Sequence, residues 1–168
     1  MKPDHQIYIG IGTNINRKFH IHLAITELKK YFNKLIISPV YESPAEGFIG
    51  TDFLNLVVYL ESNLCRTEVE TIFKKIEDQS GRDRSQEKFS SRTLDIDLLL
   101  FDDQVLHSQG INVPRDEIVK YAFVLKPLYD IAPDVIHPEN KQSIATLWQN
   151  FNKHKTPKQI SLDLGQNE

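Results

Sequence analysis

The chain reads TLDIDLLLF from Thr93 to Phe101, and this stretch decides which fold the sequence predicts. Its first half alternates between polar and apolar residues, whereas its second half is wholly apolar. Alternation with a period of two is typical of a strand with one side toward solvent, and a continuous apolar run is typical of a buried strand. The pattern therefore predicts a central β-strand whose first half reaches solvent at one end.

Upstream of this strand, sequence patterns predict five further elements. Short β-rich apolar runs predict strands, and apolar residues at spacings of three and four predict helices. The predicted elements are a strand at 6–11, a helix at 18–32, strands at 35–41 and 53–61, and a helix from a capping box at Thr67 and Glu70 to about Ser80. Pro39 interrupts the second strand, and Gly10 and Gly12 are interpreted as a tight turn after the first.

These elements follow one another in the order βαββαβ. Two crossovers in one compact sheet predict an α+β protein with a ferredoxin-like βαββαβ core. Additional C-terminal helices are predicted at Tyr121–Ile131, despite Pro127, and at Ser143–Phe151. The 168 residues are predicted to form a single domain, with a polar, loosely ordered tail from about residue 156.

Composition restricts the classes of partner. The net charge of −3 offers no global positive field that would attract nucleic acid or anionic lipid. The N-terminus has no apolar signal segment, and no stretch approaches about eighteen apolar residues. We therefore expect a cytoplasmic protein that binds neither nucleic acid nor a membrane. We also expect a monomer, although composition does not bear on the oligomeric state. The one cysteine, Cys65, excludes an internal disulfide and is interpreted as a buried apolar group.

Asp95 and Asp97 are the first candidates for chemistry. Lying two positions apart on a strand, they point to the same face with a separation of about 7 Å. Aspartate is uncommon in strands, and like charges on one face repel each other. One explanation is Mg²⁺, which prefers carboxylate oxygens together with water and substrate phosphates. The other is a solvated sheet face with salt bridges to Arg92 or a lysine, and the spacing alone favours neither.

A basic segment precedes these aspartates and contains Arg82, Arg84, Lys88 and Arg92. Guanidinium groups bind phosphate oxygens in a bidentate manner, and cations beside carboxylates suit a magnesium polyphosphate. Any one of these side chains is interpreted as a solvated, salt-bridged group, but the set favours a phosphate-binding loop. The G-x-x-x-x-G-K-[ST] motif is missing, so no common nucleotide fold is indicated.

The chain resembles the 6-hydroxymethyl-7,8-dihydropterin pyrophosphokinase family. The family's signature corresponds to RTLDID at Arg92–Asp97, preceded by the GRDR string at Gly81–Arg84. Further matches are Ile9–Asn14, Ser43-Pro44, Phe53–Asn55, Glu77, Val113-Pro114, Phe123 and Lys126–Leu128. The resemblance implies a ferredoxin-like fold and transfer of pyrophosphate from ATP to the hydroxymethyl group of the pterin, with release of AMP, in folate biosynthesis.

The resemblance also implies roles for individual residues. Asp95 and Asp97 would ligate two Mg²⁺ ions that bridge the ATP phosphates, and Asp97 would also orient or deprotonate the attacking hydroxyl. The implied catalytic residues are Arg82, Arg84, Arg92 and Asp97. The implied ATP-binding residues are Glu77, Arg82, Arg84, Lys88, Arg92 and Arg115. The implied pterin-binding residues are Ser43, Pro44, Ala45, Phe53, Asn55, Phe89 and Phe123, with the ring between Phe53 and Phe123.

The chain departs from the family pattern in three places. Phe89–Ser91 replace Trp-Gly-Pro, Arg115 and Asp116 replace His-Tyr, and Gly110 and Tyr121 stand where arginines are frequent. These departures leave two alternatives to the standard reaction. One is the same chemistry on a related pterin, and the other is a non-catalytic paralogue that binds a pterin or a nucleotide.

Overall fold

The structure is a computed structural model that describes residues 4–45, 50–81, 94–152 and 156–164. Its elements in chain order are β1 (His5–Thr13), α1 (Arg17–Tyr31), β2 (Leu35–Ile37), β3 (Val40–Ser43), β4 (Phe53–Ser62), α2 (Arg66–Gln79), β5 (Asp95–Phe101), β6 (Leu106–Ser108), β7 (Ile111–Val113), α3 (Glu117–Lys120), α4 (Ala122–Ile131), α5 (Ile144–Gln149) and β8 (Lys158–Ile160). Within the described ranges, no helix has the length and apolar character needed to cross a membrane.

Antiparallel strands form the main sheet in the order β5-β1-β4-β3-β8, and β2 pairs with β4 beside β3. The short strands β2 and β3 together take the place of the second strand of a βαββαβ unit. The four strands of that unit therefore stand in the order fourth, first, third, second, with helices α1 and α2 as the crossovers. This arrangement confirms the predicted α+β fold with a ferredoxin-like core. The predicted central position of the TLDIDLLLF strand is wrong, because β5 is an edge strand of the main sheet and its apolar half is buried by packing in both cores.

Both faces of the sheet are covered. Along β1, the isoleucines at 7, 9 and 11 pack against α1 and α2 in the larger apolar core. On the opposite face, Val57, Leu99 and Leu100 pack against α4 and α5. Burying each such side chain contributes about 1.5–3 kcal/mol relative to leaving it exposed. The sheet is thereby held rigidly between two helical layers, and its second face carries the site described below.

Two irregularities shape the strands. Pro39 has no N–H for the ladder, and the predicted second strand is broken there, with the Ser38 hydroxyl accepting the Val57 N–H at 2.8 Å. β5 contains a β-bulge at Leu99. Leu98 pairs with Ile9 and Leu100 pairs with Tyr8, so Leu99 is an extra residue between two consecutive pairs. The bulge leaves the Leu99 carbonyl to accept the N–H of Arg115 at 2.9 Å. It thereby fixes the start of the chain that follows β7.

The start of α2 differs from the prediction. The helix begins at Arg66, and the N–H of Cys65 donates to the Glu68 carboxylate at 3.0 Å. The predicted capping box at Thr67 and Glu70 is wrong because Arg66 is already helical. Cys65 is exposed at this helix end, so its interpretation as a buried apolar group is also wrong.

Residues 156–164, the described part of the predicted tail, are not loosely ordered as their composition suggested. Lys158–Ile160 form β8 on the open edge of β3, and Ile160, Leu162 and Leu164 pack against the larger core. Their spacing of two is a strand signal within a polar sequence. The hairpin of β6 and β7 was also missed, although Gln109 and Gly110, with φ of 46° and 83°, make the two-residue turn that joins such strands.

His137 makes stability depend on pH. Its side chain is 3% exposed, and Nδ1 accepts the N–H groups of Glu139 and Asn140 at 3.2 and 3.0 Å. Burial lowers the pKa of His137 below 6.5. The unfolded chain therefore binds a proton more readily than the folded chain as the pH falls through 6.5, and stability is lost from there down to the folded pKa.

We expect the urea midpoint to fall between pH 7.5 and pH 5 by more in the wild type than in His137→Gln, which cannot titrate in this range (~pH 5–8). Urea unfolding at several pH values measures both slopes. Equal slopes for the two proteins would contradict this assignment.

Candidate active site

Asp95 and Asp97 lie on one face of β5, as their spacing predicts. In the register with β1, Asp95 stands opposite Gly12 and Asp97 opposite Gly10. The neighbouring Ile96 points to the other face, into the larger core. Directly opposed residues of antiparallel strands carry their side chains on the same face. The two carboxylates therefore project beside two positions of β1 that have no side chain.

Gly10 and Gly12 do not form the predicted turn, because β1 continues to Thr13. Gly12 also stands opposite Asn55 of β4, so Asp95 and Asn55 flank it across three strands. Two strand spacings separate them by about 10 Å. A β-carbon at Gly12 would lie 3.2 Å from Asn55 Oδ1. We name this surface, made by Asp95, Asp97, Gly10, Gly12 and Asn55, the glycine trough. The Leu99 side chain packs over Gly10, where a β-carbon would lie 3.5 Å from Leu99 Cδ2.

Several predicted pterin-binding residues meet at the Asn55 end of the trough. Asn55 is 7% exposed, and its Nδ2 donates to the hydroxyl of buried Ser43 at 2.8 Å. Ser43 stands opposite Phe53 in the register of β3 with β4. The chain then leaves Ser43 for Pro44, which is exposed, and Ala45, which is half-buried. The Ser43 bond fixes the amide so that Oδ1 is the atom nearest the trough floor.

Phe123 lies on α4, the helix that packs against β4 on the trough side of the sheet. Its half-buried ring stacks on Tyr121 with centroids 4.9 Å apart and an angle of 17°. Tyr121, which stands where arginine is frequent in the family, thus enlarges the aromatic surface of Phe123. The placement of a ring between Phe53 and Phe123 stays a prediction.

A cavity of about 190 Å³ opens beside the aspartates, between β5, α2 and β7. The charged side chains along its described walls are the acidic Glu70, Glu77, Asp95 and Asp97 and the basic Lys74 and Arg115. Acidic groups therefore outnumber basic ones in this part of the wall. Gly110 also lines the cavity, at a turn position whose φ of 83° disfavours any residue with a side chain.

Glu77 has a structural contact that sequence reasoning missed. The side chain is 6% exposed, and its Oε2 accepts the N–H of Ile96 at 2.8 Å. That N–H lies on the outer edge of β5, between the two aspartates. Glu77 thus holds the strand that carries them, whereas the predicted contact of Glu77 with ATP stays a prediction.

Asp97 lies in an unusually negative environment. Burial raises the pKa of its carboxyl to about 7, and the charges of Asp95, Glu117 and Glu77 add to this effect, whereas Arg115 opposes it. A divalent cation beside Asp97 would offset the surrounding negative charge and favour the ionised carboxylate. Among the described residues, no group of three or more Asp, Glu, His or Cys side chains could hold a metal by itself. Two carboxylates completed by phosphate oxygens and water nevertheless fit Mg²⁺.

The predicted phosphate-binding residues divide into two groups. Arg82, Arg84, Lys88 and Arg92, together with Phe89 of the pterin set, lie outside the described residues. Arg115 is described, and its guanidinium lies 3.7 Å from Asp97 Oδ1 while its Nε donates to the carboxylate of Glu117. Glu117 was not among the predicted site residues, although an acidic residue two positions after an arginine is a simple signal for an Arg–Glu ion pair.

Comparisons with known proteins identify the family of this chain. Residues 8–133 match the family model of 7,8-dihydro-6-hydroxymethylpterin-pyrophosphokinase (HPPK). The chain is 37% identical over 134 residues to the 2-amino-4-hydroxy-6-hydroxymethyldihydropteridine pyrophosphokinase of Aquifex aeolicus. The aligned region covers 79% of this chain and 83% of that protein. It is 30% identical over 152 residues to the Haemophilus influenzae protein of the same name, with coverages of 88% and 94%.

Solved structures show the same fold. A triple mutant of Plasmodium falciparum HPPK-DHPS superposes with a TM-score of 0.76 over 95% of this chain, at 15% identity. The chain spans about half of that longer protein, 47% of its length. The family match covers most of the chain and two relatives agree over more than four fifths of their own lengths. This chain therefore belongs to the 7,8-dihydro-6-hydroxymethylpterin-pyrophosphokinase family.

Proposed function

We propose that this chain transfers the β,γ-pyrophosphoryl group of ATP to the hydroxymethyl oxygen of 6-hydroxymethyl-7,8-dihydropterin, releasing AMP, in folate biosynthesis. The observation that carries the proposal is the glycine trough. It places a pair of carboxylates and a buried, oriented amide on one sheet face, on either side of Gly12, which has no side chain. Family membership supports the same reaction, with ATP as co-substrate.

The pterin would lie over Gly12, between Asn55 and the aspartates, because the Leu99 side chain covers Gly10. Asn55 Oδ1 would accept an N–H of the heterocycle, because Ser43 already takes the amide nitrogen. Phe53 and Phe123 would contact the faces of the ring, and backbone groups of Pro44 and Ala45 would complete its polar edge. In this orientation the hydroxymethyl group extends toward the aspartates, about 10 Å from Asn55.

Asp95 and Asp97 would hold two Mg²⁺ ions together with the ATP phosphates. When bound, the metal neutralises phosphate charge and organises the attacking and leaving oxygens for displacement. Asp97 lies where its carboxylate would accept a hydrogen bond or the proton from the hydroxymethyl oxygen, orienting a lone pair toward phosphorus. Glu77 would act by holding β5 in place through Ile96.

The basic segment that contains Arg82, Arg84, Lys88 and Arg92 would neutralise the negative charge of the phosphates together with Arg115. Arg82 and Arg92 would stabilise charge that develops on the phosphates, with Arg84 and Lys88 assisting. These roles stay predictions, as do the role of Phe89, the single-domain division, the monomeric state and the cytoplasmic location.

The direct test measures AMP formation from ATP by chromatography, with and without hydroxymethyl-dihydropterin and Mg²⁺. We expect AMP in an amount equal to the pterin consumed. An absence of AMP at high enzyme concentration would reject the proposal. Omission of the pterin is the control for simple ATP hydrolysis.

A second candidate is the same transfer to a related pterin. The replacement of Trp-Gly-Pro by Phe89–Ser91 and the residues Ala45-Glu46 favour it, because both segments would contact the acceptor. A screen of pterins that differ in the side chain at carbon 6 decides between the acceptors. Turnover of the standard pterin alone would eliminate this candidate. A non-catalytic binder would instead bind ATP and pterin in calorimetry without multiple turnover.

A further inference from the structure

A role of Arg115 in binding phosphate does not explain why its side chain lies against Asp97. Its N–H is anchored on the carbonyl of the bulge residue Leu99 at 2.9 Å. Its side chain lies between Asp97, 3.7 Å from one guanidinium nitrogen, and Glu117, which accepts a hydrogen bond from Nε. Since Asp97 faces the glycine trough, the cation lies against the carboxylate that the proposed metal would bind.

The two contacts of Arg115 differ in kind. A separation of 3.7 Å from Asp97 is too long for a direct hydrogen bond, so this pair is ionic and is readily displaced. The contact with Glu117 is a charge-assisted hydrogen bond, which is the stronger interaction. All three side chains are only about one-third exposed, at 31% for Arg115, 37% for Asp97 and 29% for Glu117. Displacing the guanidinium from Asp97 therefore leaves it attached at Glu117.

We propose that Arg115 is a built-in counter-ion of the metal site, which binds Asp97 in the free protein and moves to the nucleotide phosphates when a metal–nucleotide complex arrives. The inference rests on the proposed function, because it takes Asp97 as a metal ligand. The divalent ion takes over Asp97, while Glu117 retains the guanidinium beside the site. The phosphates then supply the negative charge that Arg115 has lost. The site thereby disfavours a free metal ion and favours a metal that carries a polyphosphate.

Removing Arg115 should change two affinities in opposite directions. Free metal should bind more tightly, because no cation competes for Asp97, whereas metal–nucleotide should bind less tightly, because a phosphate partner is lost. Each change should be about threefold or more, as expected for an ion pair that is about one-third exposed and faces a multiply charged ligand. A purely structural role of Arg115 would weaken both.

The experiment titrates the full chain with Mn²⁺, detecting free Mn²⁺ by electron paramagnetic resonance, with and without α,β-methylene-ATP. The proteins are the wild type, Arg115→Ala, Arg115→Lys, Glu117→Gln and the control Lys120→Ala. Lys120 carries the same charge on α3 but pairs with Asp116 at 2.8 Å and is 58% exposed. We expect opposite shifts for Arg115→Ala, little change for Arg115→Lys, and weaker free Mn²⁺ binding for Glu117→Gln, which releases the guanidinium toward Asp97.

Two results would overturn the proposal. One is an unchanged free Mn²⁺ affinity in Arg115→Ala, and the other is a shift of the same size in Lys120→Ala, which would reveal a simple effect of net charge. Asp97→Asn separates this failure from failure of the proposed function. If Asp97→Asn binds Mn²⁺–nucleotide as tightly as the wild type, Asp97 is not a metal ligand, and the proposed function loses its metal site.

Discussion

Asp97→Asn is expected to lower the rate of AMP release by about 10³-fold or more, because the substitution removes the charge of the proposed metal ligand and the group proposed to contact the attacking oxygen. Asparagine has almost the same volume, so the packing of β5 is preserved. The measurement is single-turnover AMP formation at saturating ATP and pterin. Asp116→Asn is the matched control, because Asp116 is a half-exposed carboxylate of the same region that pairs with Lys120.

The stability of Asp97→Asn distinguishes a functional role from a structural one. The folded pKa of Asp97, about 7, lies above the ordinary value of 3.8, so ionising this group opposes folding as the pH rises through that range. At pH 8 and without metal, Asp97→Asn should therefore unfold at a temperature no lower than that of the wild type. A rate within tenfold of the wild type, or a loss of activity that accompanies unfolding, would contradict the assignment.

Asn55→Leu should lower kcat/KM for the pterin by about 10²-fold, because the buried amide proposed to hydrogen-bond the pterin is replaced by an apolar group of similar size. The affinity for ATP should be unchanged, because Asn55 lies at the opposite end of the glycine trough from the aspartates. Calorimetry with each ligand separates the two effects. Equal losses of pterin and ATP affinity would show that the substitution disturbs the sheet.

Ser43→Ala supplies the graded comparison for Asn55. This substitution leaves the amide in place but removes the hydroxyl that accepts from Nδ2. The amide can then rotate, and we expect a smaller loss in pterin kcat/KM, about tenfold. A loss larger than that of Asn55→Leu would mean that Ser43 itself contacts the pterin.

Local pattern was sufficient for the elements that lie closest to the chemistry. The alternation at Asp95–Leu98 predicted both the strand and the shared face of its carboxylates, and the structure agrees. Period and residue type act over a few positions, so a single sequence contains all the information needed. The same reasoning applied to Ile160, Leu162 and Leu164 would have predicted the packing of the C-terminal segment against the core.

Other predictions were wrong because the same residue type occurs in several kinds of local structure. Gly10 and Gly12 are compatible with a turn, but in the structure they form the floor of the trough. Cys65 is apolar enough for a core, but it lies at a helix end on the surface. The local preference of glycine favours a turn, but pairing of β1 with both β4 and β5 keeps Gly10 and Gly12 in the strand. The position of Cys65 depends in the same way on where α2 begins.

By itself, the sequence determined the ferredoxin-like order of elements, the face shared by Asp95 and Asp97, and the family to which the chain belongs. Only the tertiary structure decided that Gly12 separates Asp95 from Asn55, that Glu77 holds the backbone of β5, and that the bulge at Leu99 brings Arg115 against Asp97. The reason is that cross-strand register and bulges depend on pairing between distant segments, which no local period encodes.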